Sequence, residues 1–236
     1  MSLETARTLL AAAKHIAVLT GAGISAESGI PTFRGASGLW NNFRAEDLAT
    51  PQAFRNDPEL VWKWYNWRRG LVAQAEPNKA HQAVVLLESR APEFQLITQN
   101  VDGLHQRAGS RNVLELHGSL WRLRCTRCGN EWMDREARDH APLCTCGAMA
   151  RPGVVWFGEN LPAHTWQAAE TAAAQCDLLL VIGTSAVVYP AAGLLPFAKF
   201  RGARIIEVNL EPTPASDLVD VSLNGPAGVI LPSLIS

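Results

Sequence analysis

Neither sign of charge is in surplus: 21 Lys and Arg stand against 22 Asp and Glu, a formal net charge of −1 at pH 7. A protein that binds polyanions through bulk electrostatics needs a basic excess, so neither direct nucleic acid binding nor a membrane partner is expected. A basic start is lacking too. Glu4, Arg7 and Lys14 are the charged residues before the apolar run Ile16–Leu19, and no cleavage-site context of a secretory signal surrounds them, so a cytoplasmic location is expected. There is no unbroken apolar run of membrane length. Leu178 to Ala198 carries no charge, but Gly183, Pro190, Gly193 and Pro196 interrupt it; a buried strand, a ligand loop and a helix start are expected instead. Internal repeats and low-complexity tracts are absent, and only 18% of the 236 residues are charged against 47% hydrophobic. Such a chain is globular and long enough to bury roughly 70% of its unfolded surface.

What is present alternates. Leu3–Lys14 has helical composition and His15–Thr20 reads as a buried strand; Asn78–Glu88 is helical, Phe94–Thr98 and Val113–Leu116 strand-like, Ala163–Gln175 helical, Leu178–Ile182 and Arg204–Asn209 strand-like. Strand and helix in turn predict an α/β fold, a Rossmann-like parallel sheet with helices on both faces. Two stretches fall outside this rhythm, a Trp- and Arg-rich one and a cysteine-bearing one. The expected division is a discontinuous main domain of residues 1–32, 76–119 and 152–236, and a small lobe of residues 33–75 and 120–151 with a helical module and a zinc ribbon.

Polar residues gather where the strands end. Gln99, Asn100, Asp102 and Gly103 follow the strand ending at Thr98, the edge at which α/β sheets hold ligands. Gly21, Ala22, Gly23 and Ser25 follow the first strand, and Gly21, Gly23 and Ala26 match the spacing G-x-G-x-x-A. Small residues there allow a tight turn whose N–H groups approach a pyrophosphate, although ordinary strand-to-helix turns produce the same pattern. The acidic residue that a hydride-transfer enzyme places after a second strand is missing. Instead Ser25 to Gly35 contains two glycines and a proline, which favour a mobile loop. Gly183, Thr184 and Ser185 follow another strand, as do Asn209, Leu210 and Glu211, while Ala227 lies in a late Gly-Pro-Ala-Gly turn; each taken alone could be loop chemistry. His117 ends the Val113–Leu116 segment and titrates near neutrality, which suits a general base, the alternative being a ring packed under a loop.

Cysteine carries a separate message. Cys125 and Cys128 form C-x-x-C, Cys144 and Cys146 form C-x-C, and residues 129–143 lie between the pairs. This is close to ribbon spacing for one zinc ion held by four thiolates, which leaves no open position for a water nucleophile and makes the metal structural. Disulfides are disfavoured without a secretory signal. Cys176 reads as a structural residue. In the aromatic run Val61–Arg69, Tyr65 and Arg68 stand three apart, on one face of a helix, where phenol and guanidinium together can bind a carboxylate. A packing tyrosine beside a solvated arginine is the alternative.

Taken together, Gly21-Ala22-Gly23-Ile24-Ser25, Thr98-Gln99-Asn100-Val101-Asp102-Gly103-Leu104-His105 and His117-Gly118 resemble the sirtuins, NAD-dependent enzymes that remove acyl groups from protein lysines. The resemblance runs from about Ala17 to Pro232. It implies that NAD is consumed, with Phe33 and Arg34 covering the dinucleotide, Asn100 and Asp102 near the leaving nicotinamide, and His117 accepting a ribose hydroxyl proton; Thr184, Ser185, Asn209, Leu210, Glu211 and Ala227 match the family's cofactor contacts. Val154, Val155, Trp156 and Phe157 match a segment on which substrate backbone adds as a strand; a core linker is the other reading. Tyr65-x-x-Arg68 resembles the class III members, which take succinyl- and malonyl-lysine. The implied partners are acylated lysine-containing proteins or peptides, the products nicotinamide and O-acyl-ADP-ribose. The family more often carries C-x-x-C in its second cysteine pair, so the C-x-C here is a departure. NAD hydrolysis, ADP-ribosyl transfer or non-enzymatic NAD sensing would use the same pocket.

Overall fold

The computed structural model describes residues 2–32, 44–136, 138 and 140–236. Helix α1 (Leu3–Ala12) starts where the Ser2 hydroxyl accepts the Thr5 N–H, and strand β1 (His15–Thr20) follows. The stretch Ser25–Gly35, expected to be a mobile loop, begins in a helical turn, and its positions 33–35 lie outside the described residues. Ala22–Ser28 is wound into a 3₁₀ helix that ends at Gly29. Helices α2 (Ala45–Leu48), α3 (Pro51–Asn56) and α4 (Pro58–Gln74) come next. Thr50 and Asp57 cap the last two, each with proline at the first helical position, where a missing N–H costs nothing. Then come α5 (Lys79–Arg90), β2 (Glu93–Thr98), α6 (Leu104–Ala108) and β3 (Val113–Glu115). Strands β4 (Gly118–Cys125), β5 (Glu131–Met133) and β6 (Ala150–Val154) precede α7 (Ala163–Gln175), β7 (Leu178–Ile182) and α8 (Leu194–Phe200). The last elements are β8 (Arg204–Asn209), β9 (Val221–Asn224) and α9 (Ala227–Ile235); β9 and α9 were not foreseen from the sequence. Among the described residues no helix is long and apolar enough to cross a membrane.

The larger sheet is parallel, with order β3-β2-β1-β7-β8-β9. Its two faces can be read from alternate residues. Ile16, Val18, Leu96, Leu178 and Leu180 pack with Ala80, Val84, Leu231 and Leu234 of α5 and α9. Ala17, Leu19, Ile97, Leu179 and Val181 pack with Ala169, Ala173, Leu194 and Leu195 of α7 and α8. The period of two divides each strand between two cores. A second sheet, β5-β4-β6, is antiparallel, and its core joins Leu120, Trp121, Leu123 and Trp156 to Trp62, Trp64 and Tyr65 of α4.

Strand order decides where a ligand fits. The chain leaves β1 to add β2 and β3 on one side, and later adds β7, β8 and β9 on the other. The carboxyl ends of β1 and β7 therefore open a crevice at a topological switch point.

Candidate active site

The crevice is floored by two turns in close contact. An added Cβ on Gly23 would lie 2.7 Å from the Gly183 Cα and 2.8 Å from its carbonyl oxygen, and Gly183 has φ +58. Both positions require glycine. Within the turn expected to approach a pyrophosphate, two amides serve the fold: Gly21 N–H donates to the Ile182 carbonyl at 3.0 Å and Gly23 N–H to that of Gly183 at 2.8 Å. The glycines serve the approach of one backbone to another.

Ala22 and Ser25 line a cavity that also takes in Trp64, Arg68, Asn100 and Asp102. Ser25 is buried and joins the parts. Its hydroxyl donates to Asp102 Oδ2 at 2.8 Å and accepts from Asn100 Nδ2 at 3.3 Å. Asn100 also donates to the Gly21 carbonyl at 3.1 Å, and the Leu104 N–H donates to Asp102 Oδ1 at 2.8 Å. These hydrogen bonds orient Ser25, Asn100 and Asp102 relative to one another. Burial still raises the Asp102 pKa above the usual carboxylate range, with the Leu104 and Ser25 hydrogen bonds opposing it.

His117 lies just past β3, after Leu116, and is half-buried. Its Nδ1 lies 3.0 Å from the Gln99 carbonyl oxygen, and since a carbonyl only accepts, the proton sits on Nδ1 and the Nε2 lone pair is exposed to a partner. Burial lowers its pKa, opposed by the Gln99 contact, so the ring is neutral at pH 7. Gly118 permits this corner: at φ +75, a Cβ there would fall 2.1 Å from the Gly153 oxygen.

The other candidates divide. Thr184 is buried; its hydroxyl accepts from Gln99 Nε2 at 2.9 Å, and its carbonyl accepts from Asn209 Nδ2 at 3.0 Å. Ser185 is half-buried beside it, Ala227 is buried, and Leu210 and Glu211 are exposed. Phe33 and Arg34 lie outside the described residues. Arg68 reaches the cavity wall, while Tyr65 sits behind it, fully buried. The Val154–Phe157 segment is arranged differently from an open strand edge. The N–H groups of Val155, Trp156 and Phe157 already donate to the His117 carbonyl, the Glu159 carboxylate and the Ala49 carbonyl, each at 2.9 Å. Trp156 is in the core, and Phe157 is exposed.

Sequence reading missed His81, His105 and Trp121. The Asn78 N–H donates to His81 Nδ1 at 3.3 Å, so Nε2 carries the proton toward the Ser25 hydroxyl, 3.5 Å away. His105 Nε2 donates to Thr20 Oγ1 at 3.0 Å, because the Thr20 hydroxyl already donates to Thr98. Burial pushes His81 down to about 4 and His105 to about 3. Trp121 Nε1 donates to the Asp102 carbonyl at 2.7 Å, tying β4 to the cavity. The one available signal was Asn78 followed by a histidine three residues later, a cap whose partner the sequence does not name.

The cysteines converge. All four sulfurs lie within 4.8 Å of one another, with Cys125 and Cys146 at 3.5 Å and Cys128 and Cys144 at 3.7 Å. Zinc–sulfur bonds of about 2.3 Å in a tetrahedron place sulfurs about 3.8 Å apart, so the C-x-C pair fits a four-thiolate site. The Cys128 and Arg127 N–H groups draw Cys125 down to about 6, toward the thiolate a metal needs.

The Sir2 family model matches residues 21–190. The chain belongs to the Sir2 family. It is 53% identical over 229 residues to the NAD-dependent protein deacylase 2 of Pyrobaculum aerophilum, covering 96% of this chain and 92% of that one. A crystal structure of a Sir2 homolog–NAD complex superposes with a TM-score of 0.94 at 52% identity, covering 100% of this chain and 93% of that one. A Sir2–p53 peptide–NAD+ structure does so at 0.89 with 34% identity, covering 100% and 98%. This Sir2 chain thus shares the fold expected of it, a parallel Rossmann-like sheet with a smaller cysteine-bearing lobe.

Proposed function

We propose that this chain is an NAD-dependent protein-lysine deacylase that favours acidic acyl groups and releases nicotinamide and O-acyl-ADP-ribose. The observation that carries the reading is His117: neutral, oriented through Nδ1 by the Gln99 carbonyl, and presenting Nε2 as a proton acceptor. NAD is the cosubstrate, and its ribose supplies both the carbon that loses nicotinamide and the hydroxyl that His117 deprotonates. Asn100, held by Gly21 and Ser25, and Asp102, held by Ser25 and Leu104, border the cavity where the nicotinamide end would lie. The donor arrangement resists rearrangement, so these groups act from fixed positions. Thr184, with its own hydroxyl proton still to donate, and Asn209 would hold the dinucleotide along the switch point.

Arg68 supplies the acyl preference. A guanidinium on the wall of the same cavity gives a succinyl or malonyl carboxylate a charge-assisted partner, whereas an acetyl group brings no anion to it. Exposed Phe157 offers the peptide an apolar surface. Cys125, Cys128, Cys144 and Cys146 would hold one zinc ion whose coordination is filled by sulfur, so its contribution is to the shape of the small lobe.

Nicotinamide release measured with succinyl-, malonyl- and acetyl-lysine peptides tests the reading. His117→Ala is expected to abolish peptide-dependent release; retention of the full rate would remove the base assignment. Arg68→Met should cost succinyl turnover far more than acetyl, since a charge-assisted hydrogen bond contributes about 1.5–3 kcal/mol. Nicotinamide released equally without any peptide would point to NAD hydrolysis, and binding of NAD with no turnover to a sensing module.

A further inference from the structure

Trp156 is only 2% exposed, and a buried indole needs an acceptor for its N–H. It finds one in the small lobe: Nε1 donates to the Tyr65 hydroxyl at 2.8 Å. The Tyr65 ring in turn seats Arg68, whose guanidinium carbon lies 5.7 Å from that ring's centroid and 5.0 Å from that of Trp64. Trp156 is itself held from several directions. The Arg151 guanidinium stacks 3.2 Å from its ring centroid and donates to both Glu159 carboxylate oxygens, at 2.6 and 2.9 Å. Glu159 Oε2 accepts the Trp156 N–H at 2.9 Å, and the Phe54 ring packs 5.2 Å away. The chain of contacts runs from Glu159 through Arg151, Trp156 and Tyr65 to the one cation on the cavity wall among the described lining residues.

We propose that Trp156 is a positioning residue for acyl selectivity: by holding the Tyr65 hydroxyl it fixes the aromatic seat on which Arg68 meets the substrate carboxylate. The proposal rests on the reading of Arg68 as the partner of an acidic acyl group. An arginine has many rotamers, and ordering it only when substrate arrives costs binding free energy. A seat of two aromatic faces, one of them pinned by a donor that has no other role, removes that cost before binding. A carboxylate benefits and an acetyl group does not.

Trp156→Phe keeps an aromatic ring but deletes the indole N–H together with part of the ring's volume, so it is read beside Tyr65→Phe, which removes the hydroxyl alone. The expected result is a three- to tenfold rise in KM for succinyl- and malonyl-lysine peptides with kcat nearly constant, so that the succinyl-to-acetyl ratio of kcat/KM falls by the same factor. Tyr65→Phe should do the same. The double variant should be no worse than either single one, because both remove the same hydrogen bond. Equal losses on all three peptides, or a native succinyl-to-acetyl ratio in Trp156→Phe, would overturn the proposal. Arg68→Met separates the two levels. If it reduces all acyl peptides alike, the acidic-acyl reading fails; if it is selective while Trp156→Phe is not, only the role of Trp156 is lost.

Discussion

At the scale of the residue, the proposed chemistry turns on one imidazole. His117 has its pKa lowered by burial, and its useful form is the neutral one. Activity should therefore be level across neutral pH and fall only as pH drops through a midpoint below 6.5, the ordinary histidine value. A pH profile of kcat/KM for a succinyl-lysine peptide checks this. A midpoint above 7 would mean that the ring is charged at rest and is not the base. That His117, Asn100 and Asp102 stand where ligands bind was legible in the sequence as an expectation, His117 from its place right after the run Val113–Leu116 and the other two from the turn after Thr98. What Gly21 and Gly23 do was not, because their N–H groups are taken by carbonyls at positions 182 and 183. Local spacing says that a turn is tight; it does not say which distant backbone makes it so.

At the scale of the element, the site depends on turns and caps more than on strands. Gly23→Ala would place a methyl 2.7 Å from Gly183 Cα, with backbone on both sides and no side chain able to give way. Overpacking of this kind costs about 1–3 kcal/mol. Because the strain falls on the cavity floor, the KM for NAD is expected to rise along with the loss in melting temperature, while a peptide KM measured at saturating NAD changes little. Strands β1, β2, β7 and β8 were legible as short apolar runs. Strand β9, with the pattern Val-Ser-Leu-Asn, is too short and too polar to stand out, and it is a strand because β8 offers it an edge. In the same way α9 packs against α5, joined by the Arg90 guanidinium on the Ile235 carbonyl at 2.7 Å, a contact that no local periodicity announces. For the Val154–Phe157 segment the residue types suit strand addition, and what they do not disclose is that the Glu159 carboxylate and the Ala49 and His117 carbonyls take the N–H groups of residues 155–157.

At the scale of the whole molecule, the lobes are coupled at the site. The small lobe delivers Arg68 to the cavity wall and holds the Asp102 carbonyl through Trp121. Removal of zinc by a chelator, or Cys146→Ser, should lower the melting temperature by about 10 °C, as expected for the loss of several kcal/mol from a chain of this size. Deacylation should fall in parallel, although no cysteine is among the described residues that line the cavity. Protons act on the same assembly. His81 and His105 stay neutral when folded, with pKa values near 4 and 3, whereas the unfolded chain binds protons there near 6.5. The unfolded state gains more protons as pH falls through 6.5, so stability declines in that direction, by roughly 2 kcal/mol per histidine at pH 5. Denaturant unfolding at pH 7.5 and pH 5 checks this, and His81→Asn should roughly halve the difference.

The strand order also sets a timetable. During synthesis β1 emerges early and gains β2 soon afterward, but its other neighbour, β7, comes only after residues 21–177 have been made. Until then the first turn has no opposing backbone and half of its floor is missing. A nascent chain stopped short of Leu178 would carry every residue of the His117 corner and both cysteine pairs, yet it could not hold a dinucleotide. Competence to bind NAD is therefore expected only once β7 and β8 have joined β1 in the sheet.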